Sequence, residues 1–459
     1  MNRRLLMLCV CFSILVIFHP GLDFQLADAA SAEVSSHPAA APDIFLPAVN
    51  YIVGSSPRSV FVTDLDGDMD NDVVTANLGT DNVSVLKNNG DGTFAPAASY
   101  GAGDHPRSVF AADLDGDLDF DLVVANEYDN NVSVLKNNGD GTFAPAVNYA
   151  AGNLPMSVFA ADLDGDFDRD LAVADNGSSG PNISVLMNNG DGTFAGAVSY
   201  GAGTGSVCVF AANFDGDIDR DLAVANWDLN AVLVFKNNGT GVFIGPSPYT
   251  AGDTPMSVFA ADLDGDSDYD LAAANYNSNN VSILRNGGIG IFSNIGSYPT
   301  GDGSVSVFAA DFDGDFDYDL AVTNMFSNDV SVLTNNGNAT FTAAVNYDVQ
   351  STPQSVYGGD LDGDGDIDLA VANAESNSVS ILKNTTGPSV ICGDANGDGT
   401  VNIADAVYLI SYIFKGGPAP DPLCAGDADG DGAVNIADAV YQIDYIFNGG
   451  PAPVADCCR

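Results

Sequence analysis

The chain has 459 residues, 46% of them hydrophobic, with 62 acidic against 13 basic side chains and a formal net charge of −49. That length supports a large core and a second domain. The charge argues against nucleic acid or an anionic lipid surface as a partner, because both would be repelled. The acids are patterned rather than gathered in a tail: 34 of the 62 fall in seven copies of one cassette and seven more in two C-terminal loops.

Residues 1–30 read as a signal peptide. Arg3 and Arg4 precede an apolar run over 5–18, and Ala27-Asp28-Ala29 or Ala30-Ser31-Ala32 offers small-residue cleavage sites. An uncleaved anchor is the alternative, for which the run is short. No later segment is apolar enough to span a bilayer. The expectation is a secreted protein, extracellular or at the cell surface, with no membrane insertion after cleavage. Residues 31–42 form a leader.

Residues 43–387 hold the repeat. Asp-x-Asp-Gly-Asp-x-Asp-x-Asp begins at Asp64, Asp113, Asp162, Asp262, Asp311 and Asp360, and a variant begins at Asn213. The step is 49 residues, or 51 between Asp162 and Asn213. A fixed period of this length means stacked supersecondary units. In one unit, residues 108–112 form a β-rich run into the cassette. Residues 122–126 follow, apolar on both faces, and 131–135 alternate polar and apolar. Asn138-Gly139-Asp140-Gly141 signals a hairpin. Residues 142–149 give a fourth strand, which Pro145 restricts to an edge. Four short antiparallel strands with no helical period predict a propeller blade.

A Phe and a Tyr six residues apart mark the fourth strand at Phe94, Phe143, Phe194, Phe243, Phe292 and Phe341. The seventh unit lacks this pair, while a lone Phe45 and Tyr51 precede the first cassette. The N-terminal strand is therefore expected to complete the last blade, closing an all-β, seven-bladed β-propeller without an exposed edge. An open solenoid is the alternative. The two-residue insertion between Asn176 and Asn182 lengthens one loop.

Carboxylates at every second residue repel one another unless a cation neutralises them. In a tight loop the side chains at the first, third, fifth and ninth places converge, and the seventh can offer its carbonyl. Calcium takes six to eight oxygens in forgiving geometry, whereas magnesium demands a stricter octahedron. A solvated acidic turn is the bland alternative. The candidate ligands are Asp64, Asp66, Asp68, Asp70 and Asp72 in the first blade, and Asp113, Asp115, Asp117, Asp119 and Asp121 in the second. Asp162, Asp164, Asp166, Asp168 and Asp170 follow in the third, and Asn213, Asp215, Asp217, Asp219 and Asp221 in the fourth. The fifth has Asp262, Asp264, Asp266, Asp268 and Asp270, and the sixth Asp311, Asp313, Asp315, Asp317 and Asp319. The seventh has Asp360, Asp362, Asp364, Asp366 and Asp368.

Over residues 45–384 these repeats resemble the FG-GAP/VCBS family, which includes the calcium-binding blades of integrin α subunits. The resemblance implies Ca²⁺ between the first two strands of each blade. In the first blade Asp64, Asp66, Asp68 and Asp72 would be ligands, with Asp70 near the ion. The family loop often has Gly at its sixth place. Only Gly365 matches; Met69, Leu118, Phe167, Ile218, Ser267 and Phe316 stand there in the other blades. Asn213 leaves the fourth site one charge short, so it is expected to bind most weakly.

Residues 388–459 change character. Two loops, 33 residues apart, each lead into an apolar stretch at helical spacing, over 406–414 and 439–447. Gly-Gly-Pro-Ala-Pro stops each one. Places 1, 3, 5 and 12 of a calcium loop carry Asp394, Asn396, Asp398 and Asp405, then Asp427, Asp429, Asp431 and Asp438, with Gly399 and Gly432 at the sixth place. Cys392, Cys424, Cys457 and Cys458 favour disulfides in an exported module, their pairing open. Cys208 stands where sister repeats carry Ser108 and Ser157 and reads as a buried strand thiol.

The paired loops resemble a type I dockerin, with Asp at the twelfth place and one helix after each loop. The resemblance implies a calcium-folded module that docks onto cohesin domains. Ile403-Ala404 and Ile436-Ala437 replace the Ser-Thr type contacts common there, so the partner is read as cohesin-like or another surface protein. A calcium-stapled cap or attachment tail is the alternative.

No catalytic constellation stands out, since only His37, His105 and Trp227 of their kinds remain after cleavage. The leading expectation is a secreted, monomeric, non-catalytic ring with up to nine Ca²⁺, binding a glycan or protein ligand in adhesion. Tyr128, Trp227, Tyr276 and Phe326 hold matching places after the second strand and form either an aromatic ligand surface or packing between blades. The second reading is a polysaccharide-degrading enzyme, a lyase or glycoside hydrolase component of a dockerin-assembled complex. For it, Arg58 and Arg107 share a repeat position that Met156, Met256 and Gln354 fill in other blades.

Overall fold

The computed structural model describes residues 44–178 and 182–386 and, beyond them, 392–393, 395–396, 401–415, 419–420, 423–429, 433–448 and 453. The expected signal peptide and leader lie outside the described residues. So do Asp394, Asp398, Gly399, Asp431, Gly432, Cys457 and Cys458, and the tip of the insertion.

Seven four-stranded antiparallel sheets stand side by side. In the first blade the strands are Pro57–Thr63, Asp72–Asn77, Asn82–Leu86 and Ala98–Gly101, and the same order recurs in the next five. The seventh blade takes its outermost strand from the N-terminal end. Val49–Ile52 pairs antiparallel with Ser378–Leu382, Val49 opposite Ile381 and Ile52 opposite Ser378. The ring is closed as expected, and the open solenoid is ruled out.

Each strand position has its own chemistry. Second strands such as Asp121–Asn126 and Asp221–Asn226 are buried throughout. Their Ala, Val and Leu side chains pack against sheets on both sides. Fourth strands are mostly exposed and are shorter than the sequence suggests. The second blade has only Val147–Ala150, plus an isolated bridge between Asn137 and Phe143, and the sixth blade, which has no proline there, is interrupted in the same way. In the fourth and fifth blades the strand is continuous, Phe243–Thr250 and Phe292–Pro299.

The first strands surround the axis. Each contributes one aromatic side chain to a closed ring: Phe61, Phe110, Phe159, Phe210, Phe259, Phe308 and Tyr357. Neighbouring centroids lie 4.4 to 5.2 Å apart, and the Phe61–Tyr357 contact completes the circuit. Beside it runs a ring of hydroxyl acceptors, such as Ser59 Oγ, which takes the N–H of Val109 of the next blade at 3.3 Å. Cys208 interrupts this ring, its Sγ donating to Val258 O at 3.8 Å. It is half-buried rather than buried, because its side chain faces the axis between first strands. Desolvation pushes its thiol up, which keeps it unreactive.

One asparagine stitches each blade to the one before it. Asn137 Nδ2 donates to Leu65 O of the preceding blade at 2.8 Å and to Phe120 O of its own at 3.0 Å. Asn88, Asn188, Asn237, Asn286, Asn335 and Asn384 repeat the inter-blade bond, and Asn88, bonding Leu361 O, closes the circle. Asn137→Ala takes the side-chain donor from one buried and one part-buried carbonyl and should cost about 1–3 kcal/mol in denaturant unfolding. Asn138→Ala, which loses only an exposed bond to Thr142, should cost less than about 0.5 kcal/mol. Equal costs would refute the stitching role.

Candidate metal centres

Each cassette joins the end of the first strand to the start of the second, all on one face of the ring. The loop coils around its first carboxylate: Asp64 Oδ1 accepts from Gly67 N at 2.8 Å and Oδ2 from Met69 N at 2.9 Å. Asp113 and Asp311 do the same for their own loops. Asn213 keeps the first bond, to Gly216 N at 2.8 Å. Its amide nitrogen cannot accept the second.

The ninth place is buried at the root of the second strand. Asp72 is 1% exposed; its Oδ2 accepts from Leu65 N at 3.1 Å and its Oδ1 from Asn88 N at 2.8 Å. Burial outweighs these donors and pushes Asp72, Asp270, Asp319 and Asp368 up to about 7. It pushes Asp121, Asp170 and Asp221 up to about 6.

The third place supplies the clearest sign of a missing partner. Asp66 Oδ2 lies 3.1 Å from Lys87 Nζ, but its Oδ1 is buried with no hydrogen-bond donor. The same oxygen is orphaned in Asp115, Asp215, Asp264, Asp313 and Asp362. An ionised carboxylate oxygen buried without a donor is costly. A hard cation among oxygens satisfies it. Carboxylate oxygens of Asp64, Asp66 and Asp72 all lie within 4.8 Å of one another, as do those of Asp162, Asp164 and Asp170, and of Asp262, Asp264 and Asp270. In the second blade the converging set is Asp113, Asp115 and Asp117. The donor set fits calcium: oxygen only, anionic and loosely arranged.

The fifth and seventh places are arranged differently. Asp68 Oδ1 accepts from Asp70 N at 3.0 Å. The Asp70 carboxylate lies under the turn between third and fourth strands, where a Cβ on Gly90 would fall 2.6 Å from its Oδ2. Gly139, Gly190, Gly239, Gly288 and Gly337 sit likewise over Asp119, Asp168, Asp219, Asp268 and Asp317. The sixth place has a positive φ in every loop, from 70° at Phe316 to 92° at Gly365. The glycine-type geometry is kept without glycine, at about 1 kcal/mol of strain for each L-residue. Met69, Leu118, Phe167, Ile218 and Phe316 project from the face, 85–93% exposed.

Basic side chains clip the loops to neighbouring blades. Lys136 Nζ lies 3.0 Å from Asp115 Oδ2 and donates to Asp191 O of the next blade at 2.6 Å. Lys236 repeats this with Asp215 and Ile289 O, and Lys383 with Asp362 and Asp91 O.

The aromatic places singled out in the sequence lie on the opposite face. Tyr128 stacks on His105 with centroids 4.1 Å apart, and Tyr276 meets Phe326 at 5.5 Å. Trp227 packs partly buried against the fourth and fifth blades. His105 Nδ1 is 2.5 Å from Asp104 Oδ1. Arg107 pairs with Glu127 at 2.6 Å, and Arg58 donates to Gln354 at 2.7 Å, so both arginines have structural partners.

Two helices follow the ring in sequence, α1 (Ile403–Lys415) and α2 (Ile436–Asn448). Asn402 Oδ1 caps α1 by accepting from Ala404 N, and Asn435 caps α2 through Ala437 N, both at 2.8 Å. Asp405 and Asp438, the twelfth-place residues, are fully buried. Each folds its loop back: Asp405 Oδ1 accepts from Asn396 N at 3.1 Å and Asp438 Oδ1 from Asp429 N at 3.3 Å. Asp427 is 3% exposed beside them. Cys392 is disulfide-bonded.

Comparison with known proteins agrees with this geometry. The family profile for FG-GAP-like repeats matches residues 64–124, 119–173, 213–273, 262–322 and 311–371. That for the dockerin type I domain matches residues 392–447. No curated protein matches significantly. Among solved structures, the BBS1N–ARL6DN complex matches with 14% identity and a TM-score of 0.56, covering 75% of this chain and 98% of that one. Kuenenia stuttgartiensis hydrazine synthase matches with 14% identity and a TM-score of 0.53, over 74% and 98%. At such identities the likeness is one of fold. Type I dockerins bind Ca²⁺, dock onto cohesins and occur on extracellular proteins, and no helix among the described residues is long and apolar enough to cross a membrane. The chain belongs to the FG-GAP-like repeat family, as a seven-bladed propeller followed by a type I dockerin domain.

Proposed function

We propose that the protein is a secreted, non-catalytic, calcium-dependent binding or adhesion module. The ring, residues 43–387, presents a ligand surface, and residues 388–459 tether it to a cohesin-like or other surface protein. Up to nine calcium ions are held, seven by the cassettes and two by the C-terminal loops. The observation that carries the calcium reading is the repeated orphan oxygen at the third place, in six of the seven loops. The first, third and ninth places supply the carboxylates, with the fifth completing the shell. The binding reading draws on Arg58 and Arg107, whose guanidinium groups are taken up by Gln354 and Glu127.

The test is a screen of the purified full chain on immobilised glycans, measuring retention and product release together. Retention without product, abolished by a chelator, is expected. Release of cleaved glycan would overturn the non-catalytic reading in favour of a polysaccharide-degrading enzyme.

The ninth-place carboxylates make a second test. Their folded values, about 6 to 7, lie above the ordinary 3.8. The native state therefore holds protons more tightly than the unfolded chain. Metal-free stability should be greatest below about pH 4 and fall as pH rises to about 7. Calcium holds the ionised form and should flatten that slope, releasing protons when it binds near pH 6. Melts from pH 4.5 to 8, with and without chelator, check the sign. Metal-free stability rising with pH would contradict it.

A further inference from the structure

The geometry points to an acid-sugar site at the axis of the ring, on the cassette face. A cavity of about 560 Å³ opens there, within the size range of small-ligand pockets. Its floor is the aromatic ring and its walls are the alanines that follow, such as Ala111 and Ala160. Its mouth is set by the eighth cassette place, which precedes the buried ninth and turns inward. That place carries Phe120, Arg169, Arg220, Tyr269 and Tyr318 in blades two to six. In blade one it carries Asn71, which is tied to Asp360 O at 2.9 Å. The funnel is therefore lopsided, although the ring around it is nearly symmetric.

Arg169 and Arg220 are singled out by the charge ledger of the ring. Five of its basic side chains, Lys87, Lys136, Lys236, Arg285 and Lys383, reach third-place carboxylates. Arg107 reaches Glu127 and Arg58 reaches Gln354. Arg169 and Arg220, on adjacent blades, form no ion pair among the described residues, in a chain with 62 acidic side chains. A guanidinium fork matches a carboxylate by two parallel bonds. Phe120, Tyr269 and Tyr318 are 39–45% exposed beside them, offering ring faces for the apolar side of a pyranose. Tyrosine hydroxyls there can meet sugar hydroxyls. Two unpaired cations beside exposed aromatic faces suit a short chain of uronic acids. Asp113 also lines the cavity, and the surrounding cassettes repel anions at long range, so binding should strengthen as calcium neutralises them.

The inference rests on the proposal that the ring is a ligand-binding module, and it names the face and the ligand class. The experiment is calorimetric titration of the full chain, in excess calcium, with trigalacturonate and with neutral maltotriose. Trigalacturonate should bind and maltotriose should bind far more weakly. R169A/R220A should weaken trigalacturonate by about a hundredfold, as expected for two lost charge-assisted bonds. Because both side chains are exposed, its melt and calcium content should match the parent. Y269A/Y318A should weaken both sugars. Equal trigalacturonate affinity in parent and R169A/R220A, or equal affinity for the two trimers, or no binding of either, would overturn the axial site. Retention of the variant on another immobilised glycan would then leave the broader binding proposal standing. Loss of all glycan retention by the parent would remove both.

Discussion

A buried carboxylate at the root of every second strand is the constraint on which the ring depends. The ninth-place aspartate accepts the backbone N–H of the second cassette residue and that of the stitching asparagine, as Asp121 does with Leu114 and Asn137. The same asparagine then reaches across to the neighbouring blade. Loop closure, strand start and blade junction therefore meet at one anionic group. The group is surrounded by further carboxylates, so the junction is sound only when that charge is met. A bound cation meets it, and protonation meets it in part.

Other contacts add to this junction. The axial aromatics give each first strand a neighbour on both sides, and edge and offset contacts of this kind add to simple burial. The lysine clips pair a third-place carboxylate with a carbonyl of the next blade. The N-terminal strand removes the exposed edge of the last blade. Together these make the ring one cooperative object rather than a row of independent sheets. A change at one cassette is expected to reach both adjoining blades.

Much of this was legible in the sequence. The 49-residue step, the spare Phe45–Tyr51 pair and the two C-terminal loops fix blade number, closure and appended domain. Other features were hidden for physical reasons. Asn137 directly precedes a run that signals a tight turn, and nothing local shows that its amide crosses to another blade. Phe110 sits in an apolar strand, and pattern alone does not separate a residue facing the axis from one facing the next sheet. The eighth place varies among Asn, Phe, Arg, Tyr and Ile, so along the chain it resembles neutral drift. Only closing the ring brings Arg169, Arg220, Tyr269 and Tyr318 around one opening. The sixth place was legible as a departure from glycine, but the backbone keeps its left-handed turn, so the departure costs strain without changing the loop.

The most direct test of the account is to melt the full chain stripped of metal and then to return calcium stepwise, counting bound ions by elemental analysis. The account predicts that the β-sheet transition moves up sharply with calcium, with several ions per chain. A β-sheet transition at the same temperature with and without calcium, in protein that holds no stoichiometric metal, would contradict it.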